Sequence, residues 1–408
     1  MIRRVFALVL GGVLMCLFVH AMAEQVFAQL TPRRHIARFI PIRPPLESGF
    51  TSLTTVGDSE DGWVMTGHGA TVDGEVPFAW RERVIYPLNG LPSGATGTGR
   101  AAGWRGFQEN GQTVYKMAVV GVLNNSSGGQ AFLWVYDEGF QSLPGLDGVR
   151  SEANGMSLSG PMIAGQRQTS RGLEAYYWTA DGGVVDLGDL DGGAVESKAW
   201  AVAQDNGAIV GEAQSAQGTQ AFLWTPGGNM SGLGDLSGGA YYSSARAVAK
   251  PENSALQAVV GVGTSARGQE AFRWTQSGGM QGLGDLAGGA YASVARDVDE
   301  TGTYVVGSSN TDQGETAFVW DSVYGMRDLR ALVAEEFGLE TALAGWTLDA
   351  ATSIATNLTV EDRNDILMIA GSGVDPEGTH CSWRITFTPR DDVETPRQIT
   401  AVRYLLLH

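Results

Sequence analysis

The chain has 408 residues, 57 of them glycine, and a formal net charge of −17. That acidity excludes a partner held through its phosphate backbone, which needs clustered Lys and Arg, so no nucleic-acid partner is expected. Two cysteines exclude a scaffold built on disulfides, and a chain of this length can bury a large core without them.

The first residues read as an export signal. Arg3 and Arg4 precede the apolar run VFALVLGGVLMCLFV, and Ala21-Met22-Ala23 offers small residues for cleavage. Residues 1–23 are therefore expected to be a signal peptide and the mature chain to begin near Glu24. Cys16 lies inside the apolar run, which leaves Cys381 as the one cysteine after cleavage. No later apolar run is long enough to span a bilayer, so an exported chain, extracellular or periplasmic, monomeric and without a membrane span, is expected.

After the signal, HIARFIPI (from His35) reads as an outer strand with no unit of its own. A repeat then fills the chain. An apolar run ends in Gly67, Gly121, Gly165, Gly211, Gly261, Gly307 and Gly371, and an aromatic run ends in Trp80, Trp134, Trp178, Trp224, Trp274, Trp320 and Trp383. The Gly-to-Trp distance is 13 residues in the first six pairs and 12 in the last. The steps from Trp to Trp are 54, 44, 46, 50, 46 and 63. Length variation therefore belongs to loops. In the unit with the clearest pattern, SARAVA, QAVVGVG, EAFRW and MQGLGDL read as four short strands.

Four strands at a period near fifty predict an all-β fold, a seven-bladed β-propeller of four-stranded blades spanning 24–387 as a single domain. The last unit lacks a fourth strand, so the strand near 36–42 is expected to complete it and close the ring. The alternative is six blades followed by a separate C-terminal module. Ala-rich first strands (Ala199-Trp200-Ala201, Ala245-Arg246-Ala247) suit the crowded axis, and Phe and Trp on third strands suit the wider gap between blades. DLRALVAEEFGLETALAG (from Asp328) is the one helical pattern, and residues 388–408 fit no blade and read as a C-terminal tail.

Units such as AFLWTPGGNMSGLGDLSGGAYYSSARAVA resemble the HAF-type extracellular repeats of bacterial exported proteins. The resemblance covers most of 50–387 and is strongest at 174–326. It implies a secreted or surface repeat protein, and no established chemistry. The His of the family's His-Ala-Phe triplet is absent: Gln130, Glu174, Gln220, Glu270 and Thr316 stand in its place.

No catalytic motif stands out, and catalytic residues are left unassigned. Three LGDLxGG copies carry Asp189, Asp235 and Asp285. Asp186, Asp189 and Asp191 in DLGDLDGG are the calcium candidates, since calcium takes six to eight oxygens; the alternative is that each Asp caps its own turn. Kelch-type wiring would place Tyr241, Tyr242 and Tyr291 on one face with Arg171, Arg267 and Gln217, and Trp200, Arg246 and Arg296 near the axis. Aromatic rings beside Arg suit sugars; the alternative is that the tyrosines pack between blades and the arginines pair with Asp297 or other neighbours. The expected function is a binding propeller for a glycan or a cell-surface protein. The alternatives are a glycan-active hydrolase or lyase with carboxylates from different blades, and a purely structural or adhesive surface protein.

Overall fold

A computed structural model describes residues 37–388 except for 46–48, 59–63, 110–111, 126–127, 142, 158–161, 204–206, 250–254 and 357–365. The expected signal peptide, and all but the first residue of the expected tail, lie outside the described residues.

The described chain is all-β. Strand β1 (Ala37–Ile42) stands alone at the start. Four-stranded antiparallel groups follow in chain order. The first is β2 to β5 (Ser52–Asp58, Val64–Thr71, Gly74–Arg81, Val84–Pro87), and the second is β6 to β9 (Thr96–Glu109, Gln112–Asn125, Gly128–Val135, Gly139–Gln141). Next come β10 to β13 (Ser151–Met156, Ile163–Gln168, Leu173–Thr179, Gly183–Gly188) and β14 to β17 (Gly192–Val202, Ile209–Ser215, Gly218–Trp224, Ser231–Gly232). Then follow β18 to β21 (Gly238–Ala249, Ala258–Ser265, Gly268–Thr275, Gly279–Gly282) and β22 to β25 (Ser293–Val298, Val305–Thr311, Gly314–Asp321, Gly325–Asp328). The chain ends with helix α1 (Leu329–Glu335) and β26 to β28 (Thr347–Thr356, Leu367–Val374, His380–Phe387). The groups starting at β10, β14 and β18 are joined into one twelve-stranded sheet by single parallel bridges, Leu173 to Glu196 and Thr219 to Tyr242.

β1 supplies the fourth strand of the last group. It runs antiparallel to β28 from Ala37 opposite Phe387 to Ile42 opposite Ser382. First strands adjoin those of the next group from β2 through β26, and β26 in turn adjoins β2.

The repeated glycine has a steric cause. Each of the seven lies against the first strand so closely that a Cβ would sit 1.8–2.1 Å from a backbone carbonyl oxygen: that of Thr54 for Gly67, of Ser244 for Gly261, of Ala350 for Gly371. Only glycine permits that approach. The Ala before the aromatic run has a role in three successive groups. Its N–H donates to a serine hydroxyl on the next group's first strand: Ala175 to Ser197 at 3.0 Å, Ala221 to Ser243 and Ala271 to Ser293, each at 2.9 Å. The same hydroxyls donate to the carbonyls of Gly188, Gly234 and Gly284. A buried serine thus ties each of these groups to its neighbour.

The expected aromatic filling holds for Phe222, Phe272, Phe318, Trp134 and Trp383, which are buried, whereas Trp274 and Trp320 are half-buried. The fourth strands are shorter than expected. β21 stops at Gly282, before Gly284 turns the chain at φ +85°. Part of the long last step of the repeat is α1, which Asp328 caps by accepting from the Ala331 N–H at 3.0 Å. Leu329, Leu332 and Val333 bury the helix against β24 and β26.

Candidate functional site

The first strands carry the site, and a register defect builds it. Opposite each repeated glycine the first strand is bulged. Gly211 pairs with Ala199 and the next pair is Val210 with Ala201, so Trp200 is left unpaired. The same shift leaves out Val56, Arg100, Asn154, Arg246, Arg296 and Thr352. A bulge re-aims the extra side chain. Here Arg100, Asn154, Trp200, Arg246, Arg296 and Thr352 all line two adjoining cavities, the larger of about 680 Å³ and the smaller of about 160 Å³. Val56 lines the larger one.

Three cations thus share this site. Arg100 reaches Glu152 at 3.5 Å, and Arg296 reaches Glu315 at 3.2 Å and the Ser308 hydroxyl at 3.3 Å. Arg246 stacks its guanidinium over the Trp200 ring, 4.4 Å from the centroid. The Asn154 amide is fixed because its Nδ2 donates to Gln166 Oε1 at 2.6 Å and to the Ala199 carbonyl at 2.8 Å. Asn154 Oδ1, Trp200 Nε1 and Arg100 Nε are buried with no partner among the described residues.

Of the residues singled out in the sequence, Trp200, Arg246, Arg296 and Tyr242 line this site. Tyr241 lines neither cavity. Arg267 and Tyr291 form a separate pair, with the guanidinium 4.5 Å from the ring centroid and 3.5 Å from the buried Glu270. Burial, with the Glu270 carboxylate beside it, pushes the Tyr291 phenol up to about 12. Arg171 is held likewise by Glu174 at 2.8 Å. These two rim arginines are therefore neutralised within their own R-G-x-E loops. Arg296 pairs with Glu315 and not with Asp297, whose carboxylate accepts the N–H groups of Val298 and Ile354, both at 2.8 Å.

The calcium candidates do not converge. Asp186 takes a forked pair of 2.8 Å bonds from Arg167. Asp189 accepts the N–H groups of Leu190 and Glu196, the turn-capping arrangement, and lines a separate cavity with Asp191 and Gln217. Asp235 accepts likewise from Tyr242, but Asp285 departs from the pattern by accepting from the Ser309 hydroxyl. Among the described residues no three His, Cys, Asp or Glu side chains are grouped to hold a metal.

Arg100, Asn154 and Thr352 were missed by the sequence reading. Their signal was present: each sits between small residues, as in Gly99-Arg100-Ala101, Ala153-Asn154-Gly155 and Ala351-Thr352-Ser353. Arg100 is masked further because the β6–β7 hairpin is long and sets it 21 residues before Gly121, where Trp200 stands 11 before Gly211.

No family model matches the sequence. No curated protein is similar to it. A solved structure with similarity is the core factor of S. cerevisiae, 6% identical over 94% of this chain and 69% of that one; its TM-score of 0.30 carries no argument about fold or function.

Proposed function

We propose that the chain is an exported, seven-bladed β-propeller that binds a glycan in the cavity at the centre of its blades. The four-stranded groups, the cyclic succession of their first strands and the pairing of β1 with β28 support the propeller. The leader sequence and the resemblance to HAF-type repeats support export.

The observation that carries the reading is the convergence of bulge residues from separate groups on one cavity. An aromatic ring, planar cations, an amide and a hydroxyl together suit a sugar: rings stack on its apolar face and the polar groups bind its hydroxyls. The polar edge is pre-set, since Asn154 is held by two bonds before any ligand arrives.

A broad glycan array probed with the chain from Glu24 to His408 tests this. Saturable binding to related glycans, lost in both Trp200→Ala and Arg246→Ala with fold retained, is expected. Binding that survives both substitutions would move the ligand off the cavity. An empty array, followed by capture of a cell-surface protein, would replace the glycan reading with protein recognition.

A further inference from the structure

The bulge residues also indicate which kind of glycan fits. Resting on the reading above, we propose that the ligand is an acidic glycan and that Arg246 takes its carboxylate. Arg100 and Arg296 already face Glu152 and Glu315, at 3.5 and 3.2 Å. The carboxylate that acts on Arg246 is Glu212, and Glu212 is engaged by Lys198 at 3.1 Å. Among the described residues Arg246 makes no ion pair of its own; its partner is the Trp200 ring. A guanidinium with a free fork on a cavity wall matches a carboxylate, two parallel N–H bonds to two oxygens.

Two neighbouring side chains on this wall are held in place. Asn154 Oδ1 is a fixed acceptor, because its own Nδ2 is spent on Gln166 and Ala199. Trp200 Nε1 is a fixed donor. Arg246, Asn154 and Trp200 thus line one cavity, and among the described residues the guanidinium has no ion pair there. A uronate supplies the carboxylate that Arg246 lacks. A neutral sugar offers that guanidinium hydroxyl oxygens but no opposite charge, and a charge-assisted forked pair is the stronger bond. The chain's net charge of −17 gives polyanions no general attraction, so recognition of an acid must be local to this cavity.

The test titrates the chain from Glu24 to His408 with oligogalacturonate and alginate oligomers, and with the same oligomers after carboxyl reduction. The expected result is that an acidic oligomer binds, that carboxyl reduction weakens it at least tenfold, and that Arg246→Met weakens the acid by a similar factor without changing the reduced oligomer. Arg267→Met should change neither. Equal binding of acidic and reduced oligomers would overturn the carboxylate assignment and leave the glycan reading standing. Binding of neither, together with an empty array, would remove both. If Arg246→Met does not fold, the acid-against-reduced comparison on the unaltered chain decides alone.

Discussion

The guanidinium of Arg246 lies 4.4 Å from the centroid of the Trp200 ring, and the two residues occupy the same bulge position in successive four-stranded groups. Each holds the other in place across the cavity wall. A cation over an indole face is worth ~1 kcal/mol at a partly exposed site. A double-mutant cycle on urea stability with Trp200→Ala and Arg246→Ala should therefore give a coupling of ~1 kcal/mol. Additive effects would mean that the two side chains do not support one another.

The repeated glycine is a steric requirement, so alanine there should be severe. At Gly261 the new Cβ would fall 2.0 Å from the Ser244 oxygen, and backbone atoms cannot yield as a side-chain tip can. Gly261→Ala is expected to cost ~3 kcal/mol or more. Gly227→Ala, at φ +75° with open space around it, should cost only ~1 kcal/mol. Chemical denaturation of both variants checks the order; equal losses would remove the close-approach argument.

Ser243 carries two buried backbone bonds between neighbouring groups, accepting from Ala221 and donating to the Gly234 carbonyl at 2.6 Å. Ser243→Ala leaves an amide and a carbonyl unpaired. The loss should be ~2 kcal/mol. A change under ~0.5 kcal/mol, the size of an ordinary surface substitution, would show that the tie does not hold the groups together.

The anchors were legible because each contact demands one residue type at the same place in every unit: a glycine pressed on the first strand's carbonyl, an aromatic filling a gap. β1 was legible because the last unit visibly lacked a strand. The bulges were not, because a bulge belongs to the register between two strands. Trp200, Arg246 and Arg296 were found through their small flanking residues, while Arg100 was displaced by a long hairpin. The rim was left open between two readings for a different reason. The acids that neutralise Arg171 and Arg267 stand three residues on, at Glu174 and Glu270, and were read only as replacements for the family's histidine.

Asp297 links stability to pH. Burial pushes its carboxyl up to about 7, against the pull of the Ile354 and Val298 N–H groups, and the nearby Asp299 adds to the rise. An unfolded Asp titrates near ~4. Between those values the folded chain holds a proton that the unfolded chain has released, so stability falls as pH rises through the window and levels above it. Thermal melts from pH 5 to pH 8 should show Tm declining to about neutrality, with a shallower slope in Asp297→Asn. The slope should be compared between variants, since Asp299 shifts in the same direction. An unchanged slope in Asp297→Asn would assign the pH dependence to other groups.

Hydrogen exchange of the chain from Glu24 to His408, with and without the glycan selected on the array, tests the central claim most directly. The account predicts that protection gained on binding concentrates in the bulged first strands, in peptides containing Arg100, Asn154, Trp200, Arg246 and Arg296, which are far apart in sequence. Protection confined to the Arg267 and Tyr291 loops, with the first strands unchanged, would contradict it.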